Sequence, residues 1–139
     1  MKRVILLLSL ALSMPCALAC EGSSPIPGVT RDINFGFNSS EISNAEIFSL
    51  ANWVVDTHSK RSVLKGVSIT GLADKREHNA QHIAEARANV VKKTLDVLGV
   101  QAAQYEVTAH LYRPALPNDK FEPSGTRAEL TLIPECLEK

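Results

Sequence analysis

The sequence has no surplus of charge of either sign: 15 Lys and Arg stand against 15 Asp and Glu in 139 residues, and the pI is 6.9. A nucleic-acid partner would require a basic stripe to match its phosphates, so that class is excluded. There is no heptad seam, no short-period repeat and no low-complexity tract, which excludes coiled-coil, solenoid and linker-like architectures. Aromatics are few, at 5%, but 45% hydrophobic and 22% charged residues describe a folding chain rather than a disordered one. One domain with a real core is expected at this length. No Cys-His or Ser-His-Asp signature appears with the spacing of a nucleophilic site, which speaks against an enzyme, and no cofactor is implied.

What is present begins at the N-terminus. MKRVILLLSLALSMPCALA reads as an export signal, with Lys2 and Arg3 as its positive region. The apolar stretch from Val4 is too short for a convincing membrane span and runs into Ala17-Leu18-Ala19, a small-x-small cleavage pattern. Removing residues 1–19 leaves 13 positive against 15 negative charges over 120 residues, a faintly acidic exported chain. Two readings of the cysteines stay open. Cys20 directly follows the cut, where a lipoprotein signal places its lipid-bearing Cys; alternatively Cys20 pairs with Cys136 in an oxidising compartment. The first anchors the protein in the outer membrane, and the second leaves it soluble in the periplasm. Intact mass of the mature chain separates them: an added lipid mass excludes the disulfide, and a loss of two hydrogens excludes the lipid.

Residues 20–30, rich in Pro, Gly and Ser, read as a tether. Ile33 to Phe37 alternates like a strand. Ser43 and Glu46 form a capping box opening a helix whose stripe is Ile47, Leu50, Ala51, Val54 and Val55, with Phe48 and Trp53 in or beside the core face. Val67 to Gly71 predicts a second strand, Asn79 to Leu98 a second helix capped by Gly99, and Tyr105 to Tyr112 and Thr126 to Ile133 two more strands. A Pro-bearing loop, Arg113 to Gly125, joins the last two strands. The expected fold class is therefore an α+β two-layer sandwich, β-α-β-α-β-β, with two helices packed on one face of a mixed four-stranded sheet.

On the second helix Ile83, Ala84, Val91, Leu95 and Leu98 share one arc, and Arg87 falls inside it. A buried guanidinium requires a carboxylate or an opening to solvent. Asp74, in the turn leading into this helix, is the nearest acid by architecture. Asp74, His78 and His82 are spaced by four, but both His lie on the polar face and no strong third ligand is visible, so no metal site is expected. Arg127 and Glu129 share one side of the last strand and read as a solvated or cross-strand charge set. His110 lies within a strand, with no partner that the sequence names.

Three segments carry a resemblance. INFGFNSSEIS at 33–43, GLADKREHNAQHIAEARANVVKKTLDVLGV at 71–100 and GTRAEL at 125–130 are similar, in order, to landmarks of the OmpA-like C-terminal domain, the peptidoglycan-associated module. The resemblance covers residues 31–133, leaving 134–139 as a tail. It implies non-covalent binding of peptidoglycan through the diaminopimelate of the stem peptide, with Asp74 drawing the ammonium and Arg87 gripping the carboxylate. It also implies a cell-envelope location, with outer-membrane or envelope proteins as further partners. The chain departs from the family where Leu72 and Ala73 replace His and Thr before the Asp, and where the spacing from Asp74 to Arg87 is two residues shorter. The alternative is a degenerate domain that keeps the fold as a periplasmic interaction or structural module and does not bind peptidoglycan.

Overall fold

The computed structural model describes residues 29–60, 64–116 and 120–134. The export signal, Cys20 and Cys136 lie outside the described residues. The elements run β1 (Val29–Asn34), α1 (Asn44–Lys60), β2 (Leu64–Ala73), α2 (Ala80–Val97), β3 (Gln104–Leu111) and β4 (Arg127–Pro134). They form one four-stranded sheet in the order β1-β4-β2-β3. Strand β4 is antiparallel to both β1 and β2, and β3 is parallel to β2, so the sheet is mixed, as expected.

A single core lies between the sheet and both helices. Leu50 and Val54 of α1 and Ala88, Val91 and Leu95 of α2 meet Ile33, Val67, Ile69, Leu130 and Leu132 of the strands. Each large aliphatic side chain removed from water here contributes about 1.5–3 kcal/mol. Ser43 caps α1, its Oγ accepting the Glu46 N–H at 3.2 Å. The Glu46 carboxylate turns to β1 instead of back to the cap, accepting from the Asn34 side chain at 3.2 Å and pairing with Arg31 at 3.5 Å. At the other helix's end, Gly99 with φ of 76° lets its own N–H reach the Asp96 carbonyl and the Val100 N–H reach the Leu95 carbonyl, a paired closure of the last turn.

Several expectations are corrected: β2 runs over Leu64–Ala73 rather than 67–71, and Ile47 and Val55 of the expected α1 stripe are exposed, leaving Leu50 and Val54 as its buried members. Strand β1 occupies residues 29–34 rather than 33–37, because its pairing with β4 runs from Val29 opposite Leu132 to Asn34 opposite Arg127; Val29 and Thr30 therefore belong to the sheet and not to a tether. Phe35 stays in the core, but Phe37 is exposed, followed by Asn38 with φ of 57°, which turns the chain away from the sheet. Phe48 is 71% exposed, whereas Trp53 does pack on the core.

The feature that sets the height of α2 over the sheet is a row of small residues. Gly71 of β2 sits between Ala109 of β3 and Ala128 of β4, beneath Ala84 and Ala88 of α2. A Cβ at Gly71 would overlap the Ala84 carbonyl and stand 2.9 Å from the Ala88 nitrogen, both helix backbone. Helix and strand could not yield without lifting the whole of α2. Gly71→Ala is therefore expected to lower stability to urea by about 1–3 kcal/mol or more. Gly66→Ala, whose nearest neighbour would be the Ile133 side chain at 3.6 Å, is expected to be tolerated; equal losses for the two substitutions would contradict the close helix approach.

Candidate functional site

The close approach of α2 carries Arg87 over the C-terminal end of β2, where the loop after β1 and the turn after β2 converge. Its side chain has no exposed surface. All five guanidinium N–H donors are used. Nε donates to the Ser39 carbonyl at 2.9 Å; Nη1 donates to the Leu72 carbonyl at 2.8 Å and to Glu77 Oε2 at 2.8 Å; Nη2 donates to the Gly36 carbonyl at 2.9 Å and to Glu77 Oε1 at 2.6 Å. The Phe35 ring lies beneath, its centre 5.3 Å from Cζ.

The carboxylate that the buried Arg87 needs is thus Glu77, and not Asp74. Glu77 is equally without exposed surface, and its grip is two-pronged. Oε1 also accepts the Asn38 N–H at 2.7 Å, and Oε2 the Asp74 N–H at 2.9 Å. Asn38 closes the other side of the joint: its side-chain oxygen accepts the His78 N–H at 2.7 Å. Burial alone would push the Glu77 carboxyl up. The hydrogen bonds from Arg87 and from the two backbone N–H groups outweigh it and hold the group below its ordinary 4.5.

Asp74 lies just outside this joint and faces a different cation. Its Oδ1 accepts from Arg76 Nε at 3.0 Å and from the Arg76 backbone N–H at 2.9 Å, and its Oδ2 from Arg76 Nη2 at 2.9 Å. These bonds, the side-chain pair first and the backbone N–H second, lower its carboxyl to about 2. Arg76 itself is 82% exposed. The structure therefore brings Asp74 and Arg87 to one turn, joined through Glu77 by the Asp74 main chain. Glu77, Asn38 and Arg76 were not singled out by sequence. The signal was present in Glu77, the second acid of the same turn, but an irregular segment has no period from which its direction could be read.

His78 and His82 are exposed, and among the described residues no group of three or more His, Cys, Asp or Glu stands close enough to hold a metal ion. On the helix-free face of the sheet, Arg127 reaches Glu129 at 2.5 Å within its strand and Asp32 at 3.3 Å across on β1, the cross-strand charge set expected. The Tyr112 ring lies over it at 5.0 Å. Glu122 ties the long loop down by accepting from the Tyr112 hydroxyl and from the N–H groups of Ala115 at 2.9 Å and Leu116 at 3.0 Å. His110 borders a shallow cleft between this loop and the sheet.

Removing one partner of the buried pair leaves the other charge unpaired. Arg87→Met is expected to cost about 3–5 kcal/mol, and the double change with Glu77→Met much less than the two single changes combined. Additive losses in urea titrations would show that the two side chains are not coupled. The folded protein binds a proton at Glu77 less readily than the unfolded chain does, so the pair's stabilisation is full above about pH 4.5 and is lost as pH falls through the lowered value. Asp74 titrates in an overlapping window, so Glu77's share is the part of the acid loss that Glu77→Gln removes; an unchanged acid profile in that variant would contradict it.

No family model and no curated protein matches the sequence. Solved structures do match in shape. The periplasmic domain of MotB from Helicobacter pylori, residues 90–256, aligns over 84% of this chain and 82% of its own with a TM-score of 0.61 at 18% identity. The OmpA-like domain of FopA1 from Francisella tularensis aligns over 77% and 73%, with a TM-score of 0.56 at 20% identity. The peptidoglycan-associated lipoprotein of Burkholderia pseudomallei aligns over 76% and 90%, with a TM-score of 0.50 at 24% identity. With the element order, the mixed sheet and the two helices on one face, these likenesses establish that the chain has the OmpA-like fold.

Proposed function

We propose that this protein is an exported cell-envelope binding module that holds peptidoglycan non-covalently, and that Asp74 and Arg87 are its contacts to the diaminopimelate of the stem peptide. One observation carries the reading. Arg87 sits in a cradle of the right shape for a carboxylate, with two parallel N–H donors on one edge and two main-chain N–H groups, from Asn38 and Asp74, facing them. A planar guanidinium backed by fixed backbone donors recognises a carboxylate by geometry as well as by charge. Asp74, on the same turn, offers the opposite charge to an ammonium. The solved neighbours, described as a peptidoglycan-associated lipoprotein and a periplasmic domain, agree with a place in the periplasm against the wall. Cys20 then serves as an outer-membrane anchor or as half of a disulfide with Cys136, and outer-membrane or envelope proteins are natural further partners.

A second reading is favoured by a specific observation: both charges are already satisfied within the chain, Arg87 by Glu77 and Asp74 by Arg76. On that reading the domain keeps the OmpA-like fold as an interaction or structural module without the ligand. Retention on purified diaminopimelate-type sacculi separates the two. Peptidoglycan binding predicts that the wild type sediments with sacculi and that Asp74→Ala lowers retention by about tenfold, the loss of roughly one charge-assisted hydrogen bond. Arg87→Ala is expected to abolish it. Wild type left in the supernatant, or equal retention of all three proteins, would sink the first reading.

A further inference from the structure

We propose that the dipeptide Arg76-Glu77 is a stand-in for a zwitterionic ligand, built into the chain and seated in the site: Glu77 presents the carboxylate to Arg87, and Arg76 presents the cation to Asp74. This rests on the reading of Asp74 and Arg87 as the ligand contacts and adds what controls that site.

Three observations carry it. Both Glu77 oxygens are doubly engaged, by the two terminal nitrogens of Arg87 and by the main-chain N–H groups of Asn38 and Asp74. An arriving carboxylate would need these same four donors, because the Nε and the remaining Nη protons of Arg87 are spent on the carbonyls of Ser39, Leu72 and Gly36. The outer half of the site is filled in the same manner, with the Asp74 carboxylate held through both oxygens by Arg76. The two filling charges come from adjacent residues of one turn, and the turn is anchored at both ends, by the Glu77 N–H on the Asp74 carbonyl and by the His78 N–H on Asn38.

The two halves differ in strength. The Arg76 side chain is 82% exposed, so its ion pair with Asp74 is screened and opens readily. The Glu77 carboxylate has no exposed surface, and in the absence of a replacement it is out in only a small fraction of molecules. A ligand therefore displaces Arg76 first and Glu77 second, and its apparent affinity is reduced by the small fraction of molecules in which Glu77 is out. The occupant this site would accept in their place carries a carboxylate and an ammonium on one short carbon frame, the end group of an amino acid.

The test uses the mature chain as wild type, as Glu77→Ala, as Glu77→Gln and as the double variant Arg76→Ala with Glu77→Ala. The probes are sodium acetate, sodium chloride at equal ionic strength, and free meso-diaminopimelate. The wild type is expected to show no melting shift specific to acetate. Glu77→Ala, its cradle emptied, is expected to melt higher in acetate than in chloride, while Glu77→Gln, its cradle filled by a neutral amide, stays indifferent. The double variant is expected to bind meso-diaminopimelate about tenfold more tightly than the wild type, or better. An equal response of Glu77→Ala to acetate and chloride, an acetate response in Glu77→Gln as large as in Glu77→Ala, or equal diaminopimelate affinity of wild type and double variant would each overturn the proposal. Where Glu77→Ala is unfolded in chloride, refolding by acetate is the supporting result and failure to refold the overturning one. Failure of the wild type to sediment with sacculi, beside a gain of diaminopimelate binding in the double variant, rejects wild-type peptidoglycan binding and leaves the stand-in intact. Sedimentation of the wild type with no gain in the variant does the reverse.

Discussion

A guanidinium without exposed surface must satisfy five N–H donors at once, and Arg87 does so from three separate stretches of chain. It takes carbonyls from the loop after β1, a carbonyl from the end of β2, and a carboxylate from the turn beyond it. Gly36, Ser39 and Glu77 lie outside the strands and Leu72 is the penultimate residue of β2, so Arg87 ties irregular segments to the end of the sheet. The joint exists because α2 approaches β2 closely enough for the side chain to reach through, and that approach depends on Gly71 between Ala109 and Ala128. The row of small residues and the buried Arg are thus one device. The first lowers the helix, and the second fastens the loops beneath its N-terminal half.

The same constraint accounts for two strained backbone positions. Asn38 and Asn79 both take positive φ, 57° and 54°, a region that Asn tolerates better than most side chains because its short amide bonds locally. At Asn38 the reversed turn presents its N–H to Glu77 and its side-chain oxygen to the His78 N–H, so one residue bridges the two loops. At Asn79 the chain turns into α2 without a side-chain cap bond, its carbonyl accepting the Ile83 N–H at 3.1 Å. The short turn from Asp74 to α2 leaves Glu77 little choice of direction. With its backbone N–H on the Asp74 carbonyl, its side chain is aimed back under the helix.

How much of this the sequence disclosed follows from which features have a period. Of the α2 stripe, Ala84, Val91 and Leu95 are buried and Ile83 and Leu98 half-buried, and Arg87, the one charge inside that arc, is buried with them. The element order was legible for the same reason, and both ends of β3 and of β4 fall within one residue of the pattern, whereas β2 extends three residues earlier and two later than its alternation suggests. Strand β1 was misread by four residues at its start, since its extent is set by pairing with β4 nearly a hundred residues away, which no local alternation records. Phe48 sits at the edge of the α1 stripe, where a wheel cannot decide between core and water, and it is exposed. The partner of Arg87 was the consequential miss. Demand for a carboxylate could be deduced, but Asp74 and Glu77 share one irregular turn, and only its path decides which of them points inward.

Under the proposed function, that choice bears directly on what the site can recognise. A carboxylate tethered ten residues from its guanidinium competes with any free one at a high effective concentration, and it has already met the desolvation cost of entering the cradle. A lone anion from solution would have to meet that cost and also return Glu77 to water with Asp74 still occupied by Arg76. A ligand bearing both charges gains at both positions in one event, and it leaves Arg76 and Glu77 free to pair with solvent together. On the reading proposed above, the internal pair acts as a filter, setting a threshold that a ligand with a single charge fails to pass and one with both a carboxylate and an ammonium can meet.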